Sequence, residues 1–349
     1  DVEGATCAED VIADIAQAAY PYRPIASRFT VSIRRWFNDR VEELGAHNFR
    51  VKVRAGLDAG SWRRYGERLL RDCARSGNQV LLVIDELPIF LKRMVSRDGY
   101  PARADEFLSW SRSLLQTLGD SSPVLIVSGS IGLEPLVRRL GMPDRINHLD
   151  TFRLGPWDRE SSVACFHKLA ASHGLSVEAG VADAVYEMLG VGIPHHVQSF
   201  FARLRDHAMI DRRHRLAVTD VGEVYRLSLL GPSGQNDLVH YQTRLNDALG
   251  DESYSLAMEI LAEAATLGVF TPGAHHRLET LYSAIMEDAP VKIADTLDVL
   301  IYDGYVEDAG DGHRFASRLL RDWWAARFRG HHEPLEQRHT SAESARLAV

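Results

Sequence analysis

Two adjacent acids at the end of an apolar run are the residues of this chain best suited to chemistry. Residues 80–84 are all apolar, and Asp85 and Glu86 follow them directly. A carboxylate just past the carboxyl end of a buried parallel strand lies where α/β sheets bind ligands. There Asp85 could hold Mg²⁺ through water and Glu86 could polarise an attacking water, as phosphoryl transfer requires. A strand end followed by a helix with an acidic first turn explains the same pair equally well.

The elements that must position this pair alternate between strands and helices. A second apolar run, 123–130, ends in Ser128, Gly129 and Ser130, where a hydroxyl could sense the γ-phosphate; we assign that role to Ser130. Further strands are predicted at 49–54, from alternating polarity, and at 148–154. Helices are predicted at 7–20 and 61–76. Buried strands separated by helices indicate a parallel, doubly wound α/β sheet.

The second half of the chain has a different pattern, without strands until near its end. Helical spacing continues through 158–208, and Pro194, after Gly190 and Gly192, suits the first turn of a helix. The glycine-containing stretch 229–235 is a predicted hinge. Three helices, a strand, a turn and a strand then predict a winged helix. We therefore expect an ATPase core at 1–155, an all-α lid at 156–235, a winged-helix domain at 236–330 and a disordered tail at 331–349.

Composition limits the class of protein. The 349 residues carry a formal charge of −8, which argues against a protein that coats nucleic acid. Three separated cysteines favour packed thiols in a reducing cytoplasm, because they form neither a CxxC pair nor a disulfide framework. No apolar run approaches the ~20 residues of a membrane span.

The order of five motifs resembles a known family. "LLVIDE", "LIVSGS", "FRLGPW", "GIP" and "RFASRLLRDWW" follow one another as in AAA+-related, STAND-like archaeal-type ATPases, over roughly residues 1–329. The resemblance implies a P-loop-type core with a Walker B strand, a helical lid and a winged helix. It also implies ATP and Mg²⁺ as cofactors, hydrolysis of ATP to ADP and phosphate, and a nucleotide-dependent conformational switch. It places Pro194 against adenine, assigns Gly192 to the same nucleotide-binding site, and makes Arg145 an arginine finger. A plain helix start at Pro194 and a solvated Arg145 remain the alternatives.

The loop that such an enzyme needs is not in this sequence. A phosphate-binding loop has the pattern G-x-x-x-x-G-K-[ST], and none of the four lysines follows a glycine or precedes serine or threonine. The resemblance implies that the loop and a central strand precede Asp1, so the sheet is expected to be incomplete at its N-terminus. These residues by themselves are then expected to bind nucleotide poorly.

Two other functions compete with the ATPase. One is a DNA-binding winged-helix regulator or initiator, and the other is a nucleotide-independent scaffold, if the native chain starts at Asp1. The predicted recognition helix, 291–303, carries one lysine against three aspartates. Because DNA binding needs a basic face, we expect a protein partner or self-association instead.

Overall fold

The chain divides into two units, residues 1–151 and 152–349. The structure, a computed structural model, describes residues 1–19, 46–76, 79–99, 101–328 and 330–339. None of the helices in these ranges has the length and apolar content needed to cross a bilayer.

The first unit surrounds a short parallel sheet with helices. Strands β1 and β2 pair in parallel, with Leu81 opposite Val124 and Ile84 opposite Val127. The predicted helices near 7–20 and 61–76 and both of these strands are confirmed. In order, the elements are α1 (Ala8–Ala19), α2 (Ala46–Ala55), α3 (Trp62–Ala74), β1 (Leu81–Ile84), α4 (Leu87–Asp98), α5 (Ala102–Leu118), β2 (Val124–Val127) and α6 (Leu133–Arg139).

The strand predicted at 49–54 is wrong, because these residues belong to helix α2. Arg50 and Arg54 are one helical turn apart and pair with Asp14 and Asp10 on α1. Val53, on the same helix, is buried in the core of the unit. Alternating polarity over six residues fits a strand, but the partners on α1 favour the helical spacing.

The third strand predicted at 148–154 is also wrong. These residues adopt no regular secondary structure, and Phe152 and Leu154 are 87% and 90% exposed. A strand needs a neighbour for its backbone groups, and in the described ranges the first unit's sheet consists of β1 and β2 alone. One face of this sheet packs on the core, whereas the other exposes four apolar side chains, Leu81, Val83, Val124 and Ile126.

The second unit is mostly helical and has one continuous core. The predicted order of three helices and a hairpin is present after residue 250, with β5 and β6 antiparallel; its identification as a winged helix stays a prediction. A short parallel pair, β3 with β4, was not anticipated. The elements are α7 (Arg159–Ser172), β3 (Ser176–Val177), α8 (Val181–Leu189), α9 (Pro194–Ile210), β4 (Arg215–Leu216), α10 (Val218–Val224), α11 (Pro232–Leu249), α12 (Asp251–Leu267), α13 (Pro272–Tyr282), α14 (Ala289–Tyr302), β5 (Val306–Asp308), β6 (His313–Phe315) and α15 (Arg318–Phe328).

The hinge predicted at 229–235 is closely packed. A π-helical turn, Tyr225–Leu229, leads into α11. A Cβ added at Gly231 would lie 2.1 Å from the carbonyl oxygen of Leu227, and one at Gly234 would lie 2.0 Å from that of Leu229. Side chains from both sides of the stretch, such as Phe200 and Trp324, belong to the same core. The stretch is thus closely packed in this structure, and its role as a hinge stays a prediction.

The disorder predicted from residue 331 is wrong for residues 331–339. Leu335 is fully buried, and a 3-10 turn spans Leu335–Gln337. The rest of the predicted tail, 340–349, lies outside the described residues.

Candidate functional site

The carboxyl ends of β1 and β2 bring Asp85 beside Ser128. Because the strands are parallel and Ile84 pairs with Val127, the residues that follow them lie side by side. The Ser128 hydroxyl donates to Asp85 Oδ1 over 2.7 Å. Asp85 is exposed at the sheet edge, and its Oδ1 also accepts a hydrogen bond from the Glu86 amide over 3.1 Å. Sequence inspection assigned no role to Ser128, although its position at the strand end was a usable signal.

Glu86 has an unusual backbone conformation and two hydrogen bonds from one residue. Its φ of 61° and ψ of 32° lie in the left-handed region, which residues other than glycine rarely adopt. The Ser130 amide and the Ser130 hydroxyl each donate to Glu86 Oε2 over 2.9 Å. Strained backbone of this kind persists where surrounding contacts hold it, and it clusters at functional sites. The predicted sensor Ser130 is therefore next to the predicted catalytic acid, and its hydroxyl is engaged with that acid.

Gly129 allows the two strand ends to approach this closely. A Cβ at Gly129 would lie 2.5 Å from Cδ of Pro88, which is the second residue of α4. The Leu87 amide donates to the Ser128 carbonyl over 3.2 Å and closes the same turn. A side chain at position 129 would push these two turns apart. The glycine thus positions both serines against both acids.

The donor set of this edge suits Mg²⁺. Asp85, Glu86, Ser128 and Ser130 offer only oxygen atoms, which a hard cation prefers. Within the described ranges, no cluster of three or more histidines, cysteines or acids could enclose a metal. Mg²⁺ commonly binds through one or two carboxylates, waters and substrate phosphates, so this edge offers enough protein ligands for the ion. Asp85 would hold the ion and Glu86 would orient a water, whereas the phosphates need groups that these residues do not supply.

Arg145 is engaged by acids of its own unit. Its guanidinium donates to Asp105 over 2.6 and 3.4 Å and to Asp144 over 2.7 Å. An arginine finger would have to leave both carboxylates before it reached another subunit. The finger role stays a prediction, and the observed pairs explain the residue as a link between α5 and the turn at 143–146.

In the second unit, Gly192 and Pro194 form a tight turn against Trp157. The Trp157 amide donates to the Gly192 carbonyl over 2.8 Å, and a Cβ at Gly192 would lie 2.2 Å from the Trp157 carbonyl oxygen. Pro194 begins α9, where its missing amide hydrogen is no loss. Two motifs that are far apart in sequence, "GPW" and "GIP", therefore meet. Beside them His196 is buried, and burial lowers its pKa to about 4.

The final helix α15 contacts the same turn. Gly190 has a φ of 78°, and a Cβ there would lie 2.9 Å from Cβ of Arg318. Nearby, the Tyr225 hydroxyl donates to Asp322 Oδ2 over 2.9 Å. Tyr225 and Asp322 were not singled out in the sequence, since no periodic pattern marks a polar pair that is distant in the chain. The helix that carries the "RDWW" motif thus contacts Gly190, two residues before the "GIP" turn.

Comparisons with known proteins bear on the fold. No family model matches the chain, and no curated protein sequence matches it. A Walker-type ATPase of Pyrococcus abyssi is similar in structure, with a TM-score of 0.50 and 16% identity over 88% of this chain and 77% of that one. Two structures of Thermotoga maritima RuvB also match: a mutant (TM-score 0.36, 13% identity, 70% of this chain and 88% of that one) and the Holliday junction branch migration motor (0.35, 12%, 72% and 90%).

The Pyrococcus likeness concerns the arrangement of helices and strands. At 16% identity it shows the fold alone. The chain accordingly has an α/β fold, mostly helical and with small parallel sheets, that is similar to the fold of this Walker-type ATPase.

Proposed function

We propose that this chain contributes the metal-binding and water-activating side of an ATPase that acts as a nucleotide-dependent conformational switch. The observation that carries the proposal is the paired strand-end arrangement, in which Ser128 contacts Asp85 and Ser130 contacts Glu86. When bound, Mg²⁺–ATP supplies the electrophilic phosphoryl group and its charge neutralisation. Asp85 orients the ion through water, and Glu86 orients the attacking water.

The contacts of Ser130 add a switching element to this proposal. A serine hydroxyl has one proton to donate, and here it is donated to Glu86. The Ser130 hydroxyl therefore cannot donate to a phosphate oxygen and to Glu86 at once. Engagement of Ser130 by a γ-phosphate would remove one of the two hydrogen bonds that hold the Glu86 carboxylate and would free it to turn towards water.

The proposal requires that the phosphates be held by residues outside these 349, because the sequence contains no G-x-x-x-x-G-K-[ST] pattern. The test is to determine the coding sequence upstream of residue 1 and to purify the protein with any in-frame extension. Calorimetric titration with ATP and Mg²⁺ should show binding by the extended protein and little by the 349 residues. An extension without the loop pattern, or one with it that binds no ATP at millimolar concentration, overturns the proposal.

Variants then assign the roles of the two acids. Glu86→Gln should lower turnover by about two orders of magnitude or more while ATP binding persists. Asp85→Asn should raise the Mg²⁺ concentration needed for activity. Glu134→Gln, which changes a surface acid on α6, is the matched control and should leave both unchanged. Undiminished hydrolysis by Glu86→Gln would remove the assignment.

A further inference from the structure

Residues 330–339 lie in a groove formed by helices α12 and α13. Leu335 inserts fully into the core of the second unit. His332 has only 3% of its side chain exposed, which is low for a histidine. The segment has no secondary structure beyond the turn at 335–337, so its placement depends on what the groove provides.

Two carboxylates on α12 hold the histidine and arginine side chains of the segment. Glu263, which is 1% exposed, accepts from His332 Nε2 over 2.5 Å and from the Leu335 amide over 3.1 Å. Glu259 lies 2.9 Å from the Arg338 guanidinium. Arg338 is also 3.2 Å from His332 Nδ1, and since arginine has no acceptor, that nitrogen accepts the bond. The ring proton therefore lies on Nε2 and points at Glu263.

The other wall of the groove contacts both the backbone and a side chain of the segment. Arg277 Nε donates to the carbonyl oxygen of Arg338 over 2.9 Å. The Thr271 hydroxyl, at the start of α13, donates to Glu336 Oε1 over 3.0 Å. The groove thus binds an extended chain through one apolar pocket for leucine, two carboxylates and two hydrogen-bond donors. This is the combination by which grooves bind peptides in specific register.

We propose that this groove, defined by Glu259, Glu263, Thr271 and Arg277, is a peptide-recognition site for the pattern His-x-x-Leu-Glu-x-Arg. Besides the chain's own segment, the groove binds residues 330–339 of a second copy of this chain. A second copy brings the same side chains and so makes the same contacts. Release without replacement would cost Glu263 its hydrogen bonds from His332 and from the Leu335 amide, and would expose the Leu335 side chain to water. Exchange between copies is therefore favoured over an empty groove.

The test uses the full chain and a fluorescent peptide of residues 330–339. In wild-type protein the groove is filled by its own segment, so added peptide should bind weakly. In Leu335→Ala the protein's own segment has lost its apolar anchor, and the peptide should bind about tenfold more tightly or better. A peptide with the same Leu335→Ala change is the matched control and should not bind. Adding Glu263→Gln to the variant should weaken binding of the wild-type peptide.

Two outcomes overturn the proposal. Failure of the peptide to bind the folded Leu335→Ala variant, or equal binding of both peptides, overturns the recognition site. If that variant does not fold, His332→Ala serves in its place, because it removes a polar contact and leaves the leucine. Analytical ultracentrifugation of the wild-type protein tests occupation of the groove by a second copy. A protein that stays monomeric at every concentration overturns it, whereas a dimer that dissociates when excess peptide is added supports it. ATP enters neither measurement.

Discussion

At the scale of single residues, Glu86 has a left-handed backbone conformation and accepts two hydrogen bonds from Ser130. Two substitutions can separate the effects of these features on stability. Glu86→Ala removes the hydrogen bonds from Ser130 and keeps a Cβ in the left-handed region. Glu86→Gly removes the same bonds but relieves the steric cost. We expect the glycine variant to be more stable than the alanine variant by about 1 kcal/mol, measured by urea unfolding.

Asp85 provides the control for the Glu86 comparison. Its backbone lies outside the left-handed region, so Asp85→Gly should be no more stable than Asp85→Ala. Equal stability of the two Glu86 variants would mean that the left-handed conformation carries no cost in this turn.

His196 predicts a pH dependence for the second unit. Burial lowers its pKa from 6.5 to about 4, so the folded state resists protonation that the unfolded state accepts. The unfolded state then binds more protons between pH 6.5 and 4, and stability falls as pH falls through that window. The loss should approach about 3 kcal/mol at the acid end. His196→Gln should flatten the dependence measured by unfolding at several pH values.

The neighbouring histidine makes the His196 measurement specific. His195 precedes it on the same helix and is exposed. His195 also lowers the pKa of His196 through its charge, but burial is the larger cause. His195→Gln should therefore change the slope between pH 4 and 6.5 less than His196→Gln does, and an equal effect of the two substitutions would contradict the role given to burial.

At the scale of elements, α1 and α2 are joined by two ion pairs one helical turn apart, Asp10 with Arg54 and Asp14 with Arg50. Burial alone would raise the pKa of Asp10, but hydrogen bonds from the Thr6 amide and Arg54 outweigh it and lower the pKa to about 2. The stability that Asp10 provides is therefore present above pH 4 and lost as pH falls towards 2. It should amount to about 2 kcal/mol.

Asp10→Asn tests this pairing. The variant should be destabilised at pH 7 and should lose less further stability than wild type between pH 4 and 2, measured by unfolding in denaturant. Glu3→Gln, near the same end of α1 but 58% exposed, is the control and should follow wild type. Parallel acid curves for Asp10→Asn and wild type would contradict the lowered pKa.

The prediction of helices and strands succeeded where the local sequence pattern agreed with the contacts that the segment makes. It failed where contacts with other segments favoured a different secondary structure. β1 and β2 are apolar runs that pair with each other, so pattern and structure agree. In α2, alternating polarity gave way to helical contacts with α1. Residues 148–154 have strand composition and no neighbouring strand among the described residues. The acid pair and Ser130 were found from position alone, and Ser128 could have been found in the same way. Tyr225 and Asp322 depend on a contact between distant segments, which one sequence does not display.

At the scale of the whole molecule, three basic residues of the predicted winged-helix domain contact side chains of the same domain. Lys292 pairs with Glu252 over 2.6 Å, and Arg321 pairs with Asp322 over 2.7 Å. The Arg327 guanidinium covers the Trp323 ring at 5.6 Å, whereas Arg329 lies outside the described residues. Counterion release requires cations that are free to meet phosphates.

We therefore predict that the 349-residue protein does not bind duplex DNA with submicromolar affinity at physiological salt. Fluorescence anisotropy at low and at physiological salt is the measurement. Salt-sensitive, submicromolar binding that is lost when Arg318, Arg321 and Arg327 are replaced by glutamine would reverse the conclusion and favour the winged-helix regulator.

The two-stranded sheet of the first unit has a consequence for the solubility of the protein. Among the described residues β2 pairs with β1 alone, and both strands expose apolar side chains on one face. An unprotected edge strand with an apolar face is a template on which other chains can add by backbone hydrogen bonding, and natural proteins block such edges with charge. A lysine at Ile126 should accordingly slow aggregation on mild heating more than a lysine at the helical surface position Glu134, with light scattering as the measure.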